Sequence, residues 1–118
     1  MPIPHFSLWT EAAPVVFLSG QLAFDATGRI VDAEVSGQTK QALRNIELVL
    51  EKAGLKLADV VKTTVWLRNQ TDFAAFNEAY ASYLGELRPA RSTVVSALVH
   101  PDALVEIEAI ARRPSSQS

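Results

Sequence analysis

The stretch Ala103-Leu104-Val105-Glu106-Ile107-Glu108-Ala109-Ile110-Ala111-Arg112 decides the fold. Val105, Ile107, Ala109 and Ala111 alternate with Leu104, Glu106, Glu108 and Ile110. A strand here has one wholly apolar face and one that mixes hydrophobes with two carboxylates. The apolar face needs a cover, and the chain supplies two helices. Val35, Ala42, Leu43, Ile46, Val49, Leu50 and Ala53 recur at three- and four-residue steps, predicting an amphipathic helix with Ser36 as N-cap and Gly54 as its stop. Thr71-Asp72 caps a second helix with a stripe of Phe73, Phe76, Tyr80 and Tyr83 or Leu84, stopped by Gly85 and Pro89. Between them, residues 59–68 are rich in β-branched side chains and read as a strand with Val61, Thr63, Val65 and Leu67 on one face.

Upstream, Pro14-Val15-Val16-Phe17-Leu18 continues past a break at Gly20 into Leu22-Ala23-Phe24. Asp25-Ala26-Thr27-Gly28 turns that strand toward Arg29-Ile30-Val31 as a hairpin. Residues 91–98 and 103–112 flank Val99-His100-Pro101-Asp102 and read as a second antiparallel hairpin. The order β-β-α-β-α-β-β is an α+β arrangement with both helices on one face of a single sheet. The 118 residues make one domain, residues 1–118, with 114–118 a polar tail.

Composition narrows the function. Hydrophobic residues at 48% and charged residues at 20% exclude a disordered chain. Eleven Lys and Arg scattered among thirteen acids, net charge -2, leave no basic stripe for nucleic acid. Without cysteine there is no disulfide, thiolate nucleophile or Cys-type zinc site, and two histidines are too few for a structural metal, so no metal is expected. No apolar run approaches a membrane span and the start lacks a signal-peptide pattern, so the expected location is cytoplasmic, with no membrane partner. The sheet face opposite the helices poses a tension: too much Val, Ile and Trp66 for open solvent, too much charge for a dry core. A partner subunit resolves it; a monomer with a solvated sheet face is the alternative.

Six segments together carry a resemblance. They are Ser19-Gly20-Gln21, Gln38-Thr39-Lys40-Gln41-Ala42-Leu43-Arg44-Asn45-Ile46, Asp59-Val60-Val61-Lys62-Thr63-Thr64-Val65, Asp72-Phe73-Ala74-Ala75-Phe76-Asn77, Pro89-Ala90-Arg91-Ser92-Thr93-Val94 and Val105-Glu106-Ile107-Glu108-Ala109-Ile110-Ala111. In order and spacing they resemble the RidA family, also called YjgF or reactive-intermediate deaminases, apart from a shortened loop before Pro89. The resemblance implies a chorismate-mutase-like fold with one mixed sheet, a homotrimer and ligand clefts between subunits. It also implies hydrolysis of 2-aminoacrylate and related enamines and imines to 2-oxo acids and ammonia, with no cofactor.

Carried over from the family, Arg91 holds the substrate carboxylate, a task suited to a planar, permanently charged guanidinium. Glu106 becomes the water-orienting acid. A carboxylate one hydrogen bond from the water suffices, and the iminium carbon is electrophilic without a metal. Spacing alone does not rank Glu106 over Glu108; the resemblance does, leaving Glu108 a structural ion-pair role. Ser19, Gly20 and Asn77 match ligand-approaching positions, although Ser19 also suits a strand end and Asn77 a helix surface. Two positions depart from the prototypes: Thr93 stands where they have cysteine, and Phe6 where they have tyrosine. Thr93 keeps a hydrogen-bond donor; Phe6 keeps an aromatic wall without the hydroxyl.

In the expected hairpin register, Arg91 lies opposite Ile110, about 13 Å along the strand from Glu106. That separation predicts a site pairing Arg91 of one subunit with Glu106 of the next. The leading expectation is an imine/enamine deaminase. The alternatives are a trimeric binder of 2-oxo acids or similar small carboxylates without turnover, a catabolic member with a different imine substrate, and a ribonuclease, which the net acidity disfavours.

Overall fold

Residues 4–115 are described by a computed structural model. Residues 1–3, and 116–118 of the expected polar tail, lie outside the described residues. The elements are β1 (Trp9–Ala12), β2 (Val15–Gln21), α1 (Val35–Lys52), β3 (Val60–Leu67), α2 (Phe73–Leu84), β4 (Ala90–Val95) and β5 (Val105–Arg112), with short 3₁₀ turns before β3 and α2. They form one mixed sheet, ordered β1-β2-β5-β3-β4, with both helices on one face.

The alternation in β5 is realised as read: Val105, Ile107, Ala109 and Ala111 are buried, while Glu106, Glu108 and Ile110 are half-buried on the other face. Beneath α2, Phe76, Tyr80 and Leu84 pack with Val65, Leu67, Val105 and Ile107. Beneath α1, Ile46, Val49 and Leu50 pack with Val16, Leu18, Ala109 and Ala111. Burying each Val, Leu, Ile or Phe among them stabilises by about 1.5–3 kcal/mol. Gly54 and Gly85 end the helices at φ +77° and +62°, a region open to glycine without a Cβ clash.

Several expectations are corrected. The last two strands are not a hairpin: β4 runs parallel to β3, and β5 lies on the other edge of β3, antiparallel to it and to β2. Side-chain bonds from distant elements hold the connection away from a hairpin. The Arg68 guanidinium donates to the carbonyls of Ala103 (2.7 Å), His100 (2.7 Å) and Leu98 (3.2 Å). Buried Gln38 of α1 donates to Asp102 O (3.0 Å) and accepts from Leu104 N (2.8 Å). The segment therefore crosses beyond the end of β3 and delivers β5 to the middle of the sheet.

The turn at Asp25–Gly28 forms where expected, but its hairpin is short: one bridge, Phe24↔Ile30, with Asp25 N donating to Arg29 O (2.8 Å) and Val31 N to Ala23 O (2.9 Å). A further hairpin, not anticipated, joins β1 to β2 across Ala13-Pro14. Arg113 ties β1 to α1, donating to the Glu11 carboxylate (2.6 and 3.0 Å) and to Ala53 O (2.7 Å). Ser36 is not an N-cap: α1 starts at Val35 after Glu34, and Asp32 accepts the Glu34 N–H (2.8 Å) just outside the helix. Asp72 precedes α2 without a capping side-chain bond. A register shift between Val60 and Lys62 turns Val61 outward, leaving Thr63, Val65 and Leu67 on the covered face.

Candidate active site

Two clusters of the expected residues form, at different places. The first surrounds Gly20. Partners run Leu18↔Ala109 and then Gln21↔Ile107, so β2 carries one extra residue at Ser19-Gly20, a bulge. Glu106 lies directly over this bulge. A Cβ built on Gly20 would sit 3.1 Å from Glu106 Cδ and 3.3 Å from Cγ, and closer still to a carboxylate oxygen. Glycine leaves the carboxylate this position, since a side chain here would displace it. Ser19 Oγ donates to Ser7 O (2.6 Å) and Ser19 N to Leu8 O (2.9 Å), stitching the N-terminal segment to the bulge. Phe6, one residue before Ser7, is 64% exposed. The Glu106 carboxyl accepts no hydrogen bond among the described residues. Burial, and secondarily the charge of Glu108, push its carboxyl above the usual 4.5. A carboxyl shifted in this direction is a stronger proton acceptor than an ordinary one.

The second cluster surrounds Arg91. Paired with Thr63, it projects on the helix-covered side of edge strand β4. Its Nη1 donates to Asn77 Oδ1 (2.9 Å), and the guanidinium lies 4.9, 5.3 and 5.8 Å from the ring centroids of Tyr80, Phe76 and Phe73. Phe73, Phe76, Asn77 and Tyr80 meet it together because residues three and four apart share a helix face. Tyr80 OH is fixed in turn by Thr63 Oγ1 at 2.7 Å. Thr93, opposite Val65, is half-buried on the same side. Arg91 lines a cavity of about 410 Å³ between the end of α2 and the approach to β4, of the size of small-ligand sites.

The clusters do not meet within one chain. Arg91 and Ala109 both flank Thr63, whereas Glu106 flanks Trp66. Glu106 is thus two strands across and three residues along, a backbone separation of about 14 Å. It also emerges on the opposite face. The register behind the expected 13 Å was wrong, since β4 and β5 are not neighbours, but the inability of one chain to bring the two groups onto one small molecule stands for this different reason. The aromatic platform beneath Arg91 was missed because Phe73, Phe76 and Tyr80 read as core stripe. Arg88, which lines the same cavity, was also missed. The i, i+4 spacing of Phe73 and Asn77 was the available signal for the platform.

A family model described as endoribonuclease L-PSP matches residues 1–113. A RutC family protein of Pyrococcus horikoshii is 46% identical over 111 residues, covering 93% of this chain and 88% of that protein. The 2-iminobutanoate/2-iminopropanoate deaminase of Salmonella typhimurium is 42% identical over 106 residues, covering 87% of this chain and 83% of that enzyme. The crystal structure of the YjgF gene product of E. coli matches with a TM-score of 0.88 at 38% identity, covering 96% of this chain and 91% of that one. With a family model matching residues 1–113, relatives above 40% identity and one shared fold, this chain belongs to the endoribonuclease L-PSP family, the group that includes YjgF and the RutC proteins.

Proposed function

We propose that this chain is a metal- and cofactor-independent hydrolase of small 2-imino acids and their enamine tautomers, acting as a homotrimer. The observation that carries this reading is Arg91: a guanidinium without a carboxylate partner among the described residues, braced by Asn77 and three aromatic rings at the wall of a cavity. Such a group binds a carboxylate with two parallel hydrogen bonds. Thr93 and Asn77 line its approach. Glu106 of a neighbouring subunit orients water over the imine carbon, with Ser19, Gly20 and Phe6 framing that half. The water oxygen bonds to the imine carbon, the C–N bond then breaks, and nitrogen leaves as ammonia, giving a 2-oxo acid. The neighbour also covers the bare sheet face, where Phe17 is 44% and Val94 43% exposed.

Imine generated by an amino-acid oxidase, with semicarbazide as competing trap, tests the reading. Wild type is expected to accelerate oxo-acid release and Arg91→Ala to abolish the acceleration. The second reading, carboxylate capture without turnover, is favoured by the missing hydroxyl at Phe6; oxo-acid binding by wild type with no acceleration would establish it. Nucleic acid is not a proposed partner, given the net charge of -2.

A further inference from the structure

The cavity beside Arg91 holds a second guanidinium. Arg88 lines it together with Asn77, Tyr80, Leu84, Leu87 and Arg91, and no carboxylate is among the lining residues. Neither arginine forms an ion pair among the described residues, Glu86 two positions from Arg88 included. Two like charges on one small cavity, without a counter-charge, repel one another until an anion arrives between them. Proline at 89 biases Arg88 toward extended backbone, so the two positions stand about 10 Å apart along the chain. The two long side chains can close that gap onto a ligand of four or five carbons.

We propose that this cavity selects 2-imino dicarboxylic acids, with Arg91 on the carboxylate next to the imine carbon and Arg88 on the distal carboxylate. The inference rests on the deaminase reading for its chemistry, which is the same hydrolysis: water oxygen to the imine carbon, nitrogen out as ammonia, no oxidant or reductant consumed. It goes beyond that reading in assigning a specificity-determining residue and a substrate charge. Arg88 touches only the distal group and acts on selection.

The test compares imines formed in place from aspartate or glutamate with those formed from alanine and leucine, each by its own oxidase. Wild type is expected to favour the dicarboxylic imines in kcat/KM. Arg88→Gln should lower the ratio of dicarboxylic to monocarboxylic kcat/KM about tenfold, the worth of one charge-assisted hydrogen bond, mainly through KM. Arg88→Lys should restore part of it. A wild-type preference for the leucine-derived imine, or an unchanged ratio in Arg88→Gln, would overturn the proposal. Calorimetric binding of 2-oxoglutarate against 2-oxobutanoate separates this from failure of the deaminase reading. If no imine is hydrolysed, a dicarboxylate preference that disappears in Arg88→Gln still supports the assignment, and equal affinities sink it.

Discussion

Mixing two inactive variants, Arg91→Ala and Glu106→Ala, is expected to restore about a quarter of wild-type activity in the proposed trimer. The two groups project from opposite faces of one sheet, about 14 Å apart along the backbone. In a head-to-tail ring of three, each site takes Arg91 from one chain and Glu106 from the next. Random reassembly of equal amounts gives about three quarters mixed rings, and each mixed ring contains one site of three with both groups intact. The product is about one quarter of all sites; mixed rings purified with two different tags should show about one third. The assay is imine hydrolysis per chain, with size-exclusion chromatography showing that each variant still assembles. Purified mixed rings without activity would refute the shared site, because in this geometry every mixed ring must contain one complete pair.

Gly20→Ala should lower kcat/KM by about ten- to a hundredfold by displacing the Glu106 carboxyl, while urea unfolding shifts by less than about 1 kcal/mol because only the end of a flexible side chain must move. Glu106 has its carboxyl raised by burial and by Glu108, so the native state holds the extra proton and stability falls as pH rises from 4.5 through the raised value. Glu106→Gln should therefore raise Tm at pH 7 while abolishing turnover, and Glu108→Gln should move the acidic limb of the pH–rate profile to lower pH; a limb left in place would show that Glu108 has no hold on Glu106. Arg68→Ala removes donors to three carbonyls of the crossover and should cost about 3 kcal/mol in urea unfolding, with the slope of the transition unchanged.

Much of this protein was legible without coordinates because its signals are local. The strict alternation in 105–111 and the three-to-four spacing in 35–53 each require only neighbouring residues to agree, and the corresponding strand and helix formed. The candidate residues Arg91, Asn77, Gly20 and Glu106 were legible through the resemblance, and two of these pairs proved to be neighbours: Asn77 with Arg91, Gly20 with Glu106. The turn chemistry of Val99-His100-Pro101-Asp102 misled, because a hairpin loop and a crossover loop look alike over four residues.

Element type, the apolar face and the identity of the charged groups were determined by the chain itself, since period and side-chain chemistry are carried by adjacent residues. Strand order was decided only by the tertiary structure, through Gln38 and Arg68 reaching the crossover from α1 and from the residue after β3. Because β5 lies between β2 and β3, Glu106 comes to rest on the Gly20 bulge while Arg91 turns toward α2. The division of the charged groups between two faces is a property of long-range pairing, where a change of neighbour moves a side chain by two strands without changing a residue of the sequence.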